Sequence, residues 1–109
     1  MENFERILSD EVANTSRIVF YRDGERYTAF QHSALFVAAW LIPGHPFLTR
    51  NMGYSSVVYM LFSKEVLEPV LDSYDNILCA SEKIIVPVPV PFDVYAYYNW
   101  RNPRLADVV

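Results

Sequence analysis

The sequence predicts an α+β domain: a single mixed β-sheet of about five to six strands, opened by a β-hairpin, with two main helices packed on it. Three observations carry this prediction. Two β-branched and aromatic runs flank Asp23-Gly24, helix formers with an apolar face follow them, and an almost wholly apolar run comes later, at residues 57–62. Hydrophobic residues make up 52% of the 109 residues and aromatic residues 16%, which is enough for a core beneath a sheet.

We expect one domain, spanning residues 1–109. It divides into an N-terminal arm or short helix at 1–16, an α/β core at 17–90 and an aromatic C-terminal segment at 91–109. The first part is polar with scattered apolar residues, and their spacing fits either a short leading helix or an ordered arm.

A β-hairpin is predicted from Ile18 to Phe30. The β-branched and aromatic run that begins at Arg17 stops at Asp23-Gly24, and a second strand-like run follows at once. Asp-Gly between two such runs favours a type I′ turn, in which positive φ angles are needed and Asp and Gly tolerate them.

The run from Gln31 to Ile42 has the helix formers and broad apolar face of a core helix, and Pro43-Gly44 ends it. Strands are then predicted at Pro46–Arg50 and Ser55–Phe62, joined by a turn at Asn51-Met52-Gly53. The second of these strands is almost wholly apolar, as a central strand buried on both faces would be.

Ser63 is a predicted N-cap for a second helix, within which Pro69 should cause a kink or a later start. Strands are predicted after this helix at Asn76–Ala80 and Ile84–Val90. The alternating prolines of Val86–Pro91 exclude a central strand and favour an edge strand or a polyproline II arm, because each proline lacks a backbone N–H.

The net charge of the chain and the length of its apolar runs limit which classes of function are expected. Acidic residues outnumber basic ones by 13 to 9, and the net charge of −4 disfavours independent nucleic-acid binding. No apolar run reaches the length of a membrane-spanning helix, so no membrane association is expected. With one cysteine and no signal-peptide pattern, the cytoplasm is the expected location.

The hairpin and the helix after it carry a family resemblance. The segment Ile-Val-Phe-Tyr-Arg-Asp-Gly-Glu-Arg-Tyr-Thr-Ala-Phe at residues 18–30, followed by Ala34, resembles the opening of the N-terminal mismatch-recognition domain of MutS-type DNA repair proteins. The helix Ser63–Tyr74 and the strand Ile77–Ala80 are similar to that domain's second helix and the strand after it. The resemblance implies a stand-alone, degenerate relative with the fold of MutS domain I.

The resemblance implies the fold of that domain but not its recognition of mismatched bases. In MutS proteins a Phe-x-Glu pair on the second hairpin strand reads the mispaired base, and here Arg26 and Thr28 occupy those positions. Threonine has no carboxylate to hydrogen-bond a base. The chain also has no Gly-rich phosphate loop ending in Gly-Lys-Ser/Thr.

No group points to catalysis, a metal or a cofactor, so the chain is predicted not to be an enzyme. Its only histidines, His32 and His45, are expected to be ordinary surface residues. Cys79 lies in an apolar strand and is expected to be a buried packing residue, and the ligand spacings of known metal sites are absent.

The aromatic C-terminal segment is the predicted contact surface. It holds Tyr95, Tyr97, Tyr98 and Trp100, more large rings than a short surface tail usually carries. Either the segment folds back to close the core, or it contacts a second subunit or another protein. The function predicted first is therefore a non-enzymatic interaction module with a protein partner or as a homodimer.

Nucleic-acid binding through the hairpin is the alternative function. Arg22, Arg26, Tyr27 and Thr28 would supply phosphate and stacking contacts there, alongside a more basic partner. The net negative charge of the chain counts against this alternative.

Overall fold

A computed structural model of the protein describes residues 4–51 and 56–105. Its elements follow the chain as α1 (Phe4–Ala13), β1 (Arg17–Asp23), β2 (Arg26–Phe30), α2 (Gln31–Phe36), a π-helical turn (Val37–Leu41), β3 (Leu48–Asn51), β4 (Ser56–Ser63), α3 (Lys64–Leu71), β5 (Leu78–Cys79), β6 (Lys83–Pro87) and α4 (Val94–Leu105).

The six strands form one sheet in the order β3-β4-β2-β1-β6-β5, which confirms the predicted α+β class. The sheet was expected to be mixed, but each of its five strand pairs is antiparallel. The helical connection after β2 leads to β3, and β3 runs parallel to β2. Because β4 turns back and inserts between β2 and β3, no parallel neighbours result.

The hairpin of β1 and β2 is confirmed, with Tyr21 opposite Thr28 and Asp23 opposite Arg26. Its two-residue loop is Gly24-Glu25, one position later than predicted. Within the described chain only Gly24 of these two residues has a positive φ, +64°. A positive φ at the first loop position alone fits a type II′ turn, so the predicted type I′ turn is wrong.

Apolar side chains cover both faces of the sheet. On one face the strands pack against α2 and α3, and this core includes Phe20, Phe62 and Leu67. On the other face Val19, Tyr21, Phe30 and Val57 form a second cluster, which Ile7 of α1 completes. Two main helices were predicted, and the structure adds α1 and α4 as further packed helices.

The predicted core helix begins at Gln31 and changes character at Val37. Five residues of π-helix follow α2, closed by a hydrogen bond from the Ile42 N–H to the Val37 carbonyl at 2.9 Å. Pro43 and Gly44 end the segment as predicted, and Gly44 takes a φ of +86° that favours glycine.

Strand β4 is central, as predicted, since it pairs with β2 on one side and β3 on the other. Val57 faces one core cluster while Met60 and Phe62 face the other, so both faces are buried. The strand before it, β3, begins two residues later than predicted, at Leu48. Most of the turn predicted at Asn51-Met52-Gly53 lies outside the described residues, as does Ser55.

Helix α3 begins as predicted, because the Ser63 Oγ accepts a hydrogen bond from the Val66 N–H at 3.3 Å. Pro69 lies inside the helix rather than delaying its start. The strand predicted next shrinks to two residues at the sheet edge, so Cys79 is exposed and the prediction of a buried thiol is wrong. At this edge of the sheet the side chains of Leu78 and Cys79 are both exposed to solvent.

The proline-rich segment leaves the sheet at Pro87. Strand β6 pairs along its length with β1, while β5 covers only Ile84 and Ile85 on its other side. Val86 and Pro87 therefore lie on a free edge, where the missing proline N–H costs no ladder bond. In the described part of the chain, no helix is both long and apolar enough to cross a membrane.

Replacing Gly24 with alanine tests the turn. We expect the Gly24→Ala variant to lose about 1 kcal/mol of unfolding free energy, because an L side chain is strained at positive φ. Urea unfolding of Glu25→Ala, changed at the neighbouring loop position, should stay within about 0.5 kcal/mol of wild type. Equal stability of Gly24→Ala and wild type would contradict the turn geometry.

Candidate functional site: a polar junction beneath an aromatic cleft

Helix α1 places a carboxylate in the protein interior. Phe4, Ile7, Leu8 and Glu11 recur at helical spacing on one side of the helix, and Glu11 is only 1% exposed. Burial of an ionisable side chain at such a position demands hydrogen-bond partners.

Two of these partners come from Ser33 in the first turn of α2. The Ser33 N–H donates to Glu11 Oε1 at 2.7 Å, and the Ser33 hydroxyl donates to Glu11 Oε2 at 2.8 Å. An N–H in the first turn of a helix has no partner within that helix, so the Glu11 carboxylate supplies one. Helix α1 is thereby fixed to the start of α2.

Strand β1 joins the same network. The Ser33 Oγ accepts a hydrogen bond from the Val19 N–H at 3.0 Å, and Asn14 Nδ2 donates to the Arg17 carbonyl at 2.7 Å. Asn14 Nδ2 also lies 3.2 Å from Ser33 Oγ. We call Glu11, Asn14 and Ser33 the polar junction, because together they tie α1, β1 and α2.

Burial raises the pKa of Glu11 to about 7, and this effect outweighs the hydrogen bonds from Ser33 and Asn14 and the charge of Arg17, which all lower it. Both carboxylate oxygens accept hydrogen bonds inside the protein, and the Ser33 hydroxyl is fully buried. Neither group can reach a substrate, so the polar junction is structural.

Both histidines were expected to be ordinary surface residues; this is wrong for His32, whereas His45 is half-buried. His32 is buried, donates from Nδ1 to the Asn14 carbonyl at 2.7 Å and stacks on Phe92 with ring centroids 4.4 Å apart. Burial lowers the pKa of His32, which favours the neutral ring. His45 donates from Nε2 to the Leu61 carbonyl and stacks on Phe62. The aromatic partners that hold both rings come from distant parts of the chain.

The aromatic segment is helical, which the sequence analysis missed. Asp93 caps α4 by accepting hydrogen bonds from the backbone N–H groups of Tyr95 and Ala96 at 2.9 and 3.3 Å. Tyr97 faces inward and is buried, and Trp100 packs beside the main core. Burial raises the pKa of the Tyr97 phenol well above its ordinary value, so it stays a hydrogen-bond donor.

Gln31 connects α4 to the sheet. Its Oε1 accepts hydrogen bonds from the Val58 N–H, the Tyr97 hydroxyl and Arg101 Nε at 3.3, 3.1 and 3.4 Å. Gln31 also has a φ of +46°, a left-handed conformation that costs a non-glycine residue free energy unless the surroundings hold it. The three donors hold the side chain in place.

A cleft of about 350 Å³ opens between α1, the start of α2 and α4. We call it the aromatic cleft; its lining includes Val12, His32, Phe92, Val94, Tyr98 and Arg101. Arg101 donates from Nη2 to the Ser56 carbonyl at 2.6 Å, and the described residues place no carboxylate within ion-pair distance of it. The cleft thus combines aromatic walls with an unneutralised cation.

The four predicted interface residues divide between the two sides of α4. Tyr97 and Trp100 face the core, while Tyr95 is 78% and Tyr98 49% exposed. The segment therefore both closes the core and presents rings to solvent, where the sequence analysis had left these as alternatives. Val12 and Val94 extend the exposed apolar surface beside Tyr98 and were not predicted.

The predicted nucleic-acid contacts are divided between the two faces of the sheet. Arg22 lies opposite Tyr27, on the face that packs against α3, whereas Arg26 and Thr28 alternate onto the other face. Thr28 is buried and the Arg22 Nε donates to the Gly24 carbonyl at 3.0 Å. Arg22, Arg26 and Tyr27 nevertheless line one pocket of about 550 Å³ at the hairpin end, and Thr28 lies outside it. The same pocket is lined by Glu25, Glu65 and Glu68.

Glu11 could have been found from the sequence, because it occupies a core position in the apolar spacing of α1. Ser33 carries no comparable signal, since its hydrogen bonds to Glu11 and Asn14 span 22 and 19 residues of the chain. Among residues 4–51 and 56–105, no three His, Cys, Asp or Glu side chains form a group that could hold a metal ion.

Comparison with known proteins adds no family assignment. No family model, curated protein or solved structure matches the chain. The resemblance to the N-terminal domain of MutS-type proteins stays a prediction, and no residue role is taken from it.

The pH dependence of stability tests the polar junction. Because folding raises the pKa of Glu11 from 4.5 to about 7, the stabilisation that comes from its protonation is complete below pH 4.5 and is lost as the pH rises through 7. The wild-type unfolding free energy should therefore fall over this range by about 3 kcal/mol more than that of Glu11→Gln. Chemical denaturation at several pH values measures the difference.

Glu5→Gln on the exposed side of α1 is the matched control and should keep the wild-type pH dependence. Parallel pH profiles for wild type and Glu11→Gln would contradict a buried Glu11 that ionises near neutral pH.

Proposed function

We propose that the protein is a non-enzymatic interaction module whose docking surface is the exposed side of α4 around the aromatic cleft. The observation that carries this proposal is the exposure of Val12, Val94, Tyr95 and Tyr98 beside Arg101, which has no carboxylate partner among residues 4–51 and 56–105. Tyrosine side chains supply large contact area with few rotamers, which is why they concentrate binding energy at interfaces.

A second copy of the chain is the occupant that the charges favour. Asp93 lies just before the start of α4, and Arg101 lies in the second half of the helix. Two α4 helices packed antiparallel would bring the acidic end of each against the basic end of the other. The two helix dipoles would then run in opposite directions, which is the favourable arrangement for neighbouring helices. A single two-fold axis would give both copies the same contacts.

Tyr98 stands near the middle of α4 and would lie close to the two-fold axis. Tyr95, one turn earlier, would then reach toward Arg101 of the second copy, where a tyrosine ring can stack on a guanidinium. An arginine half-buried without a carboxylate is costly, so a neighbouring ring and a carboxylate from the second copy would offset that cost.

Removing the exposed rings tests this surface. We expect the wild-type chain to dimerise and the double variant Tyr95→Ser, Tyr98→Ser to weaken the dimer at least about tenfold, since two interface aromatics are lost. Sedimentation equilibrium over a range of concentrations measures the dissociation constant. Leu78→Ser, at an exposed apolar position on β5, should leave the dimer unchanged.

The charge pairing has its own variant. Asp93→Asn keeps an N-cap of equal quality while removing the carboxylate, so it should weaken the dimer several-fold and reduce its salt dependence without unfolding α4. A wild-type chain that stays monomeric at about 100 μM, well above the dissociation constants of specific dimers, would contradict the proposal.

A further inference from the structure

We propose that the groove between α3 and β5 docks a basic amphipathic segment of another protein. This acidic groove has a volume of about 780 Å³, and its lining includes Tyr27, Leu67, Glu68, Leu71, Asp72 and Asp75. It shares no lining residue with the aromatic cleft, so the two proposed surfaces stand independently.

The floor of the acidic groove is apolar. Leu67 and Leu71 of α3 are buried beneath it. The apolar surface that a ligand can reach comes from Ile77 and Ile84, which are partly exposed, and from Tyr74, which is 37% exposed. The core continues beneath these residues, so the floor is rigid and offers apolar contact without rearrangement.

The rim of the groove is acidic on the α3 side. Glu68, Asp72 and Asp75 line it, and its lining contains no lysine, arginine or histidine. Lys64 lies 3.7 Å from Glu68, but both side chains are 60% exposed, and such a pair contributes little. The other two carboxylates have no hydrogen bond or ion pair from their side chains within the described residues.

An apolar floor beneath unpaired carboxylates specifies the chemistry of the occupant. It must place apolar side chains downward and lysine or arginine beside the rim. An amphipathic helix does both, since residues at i, i+3, i+4 and i+7 share one face and basic residues flank them. A phosphate-bearing ligand is excluded by like charge.

A synthetic amphipathic helix of leucine and lysine, about 18 residues long so that it forms a helix, is the probe. We expect it to bind the wild-type protein in fluorescence anisotropy, and the same pattern with glutamate in place of lysine not to bind. Oligolysine of equal charge should bind at least about tenfold more weakly, because it cannot use the apolar floor. Equal binding of oligolysine, or no binding of the leucine–lysine helix, would overturn the proposal.

A pair of double variants with the same change in net charge locates the site. Asp72→Asn, Asp75→Asn should weaken peptide binding about tenfold, the effect expected for two charge-assisted contacts. Glu5→Gln, Asp10→Asn, on the exposed side of α1 across the sheet from the groove, should leave binding near wild type. Equal losses in both double variants would show undirected charge attraction and overturn the proposal. The variant Tyr95→Ser, Tyr98→Ser should bind the peptide as the wild type does. Peptide binding is thereby tested independently of the proposed dimer.

Discussion

The fold depends on the buried carboxylate of Glu11. Its two oxygens accept hydrogen bonds from the N–H and the hydroxyl of Ser33, and the same hydroxyl accepts the N–H of Val19 in β1. The first N–H groups of a helix have no partner within that helix, so Glu11 supplies an acceptor for α2 while anchoring α1. Without this carboxylate the first turn of α2 would bury an unpaired donor, and α1 would keep only its apolar contacts.

The proposed docking surface at the aromatic cleft depends on how this junction fixes the start of α2. Gln31 and His32 stand there, one bonded to Tyr97 and Arg101 of α4 and the other stacked on Phe92. Helix α4 is thereby fixed with two of its aromatic residues inward and two outward. On the face of the sheet where α3 packs, the chain presents the acidic groove, whose charge is opposite to that of Arg101 in the aromatic cleft. The two proposed docking surfaces thus share no lining residue and differ in the charge that they present.

Features set by neighbours in the sequence could be predicted. The hairpin at Gly24, the apolar strand β4 and the Ser63 cap each rest on a few consecutive residues, and all three are present. Features set by distant contacts could not. The burial of His32 depends on Phe92, and the exposure of Cys79 depends on how far the edge strand pairs. The cleft itself joins residues from Val12 to Arg101, which no local pattern connects.

A double-mutant cycle between Glu11 and Ser33 tests the central interaction most directly, because it isolates their coupling from the cost of each truncation. The unfolding free energies of wild type, Glu11→Ala, Ser33→Ala and the double variant should give a coupling of at least about 1 kcal/mol at pH 8, where the carboxylate is ionised. A control cycle between Glu5→Ala and Ser63→Ala should be additive. Additivity of the Glu11 and Ser33 variants would contradict the account.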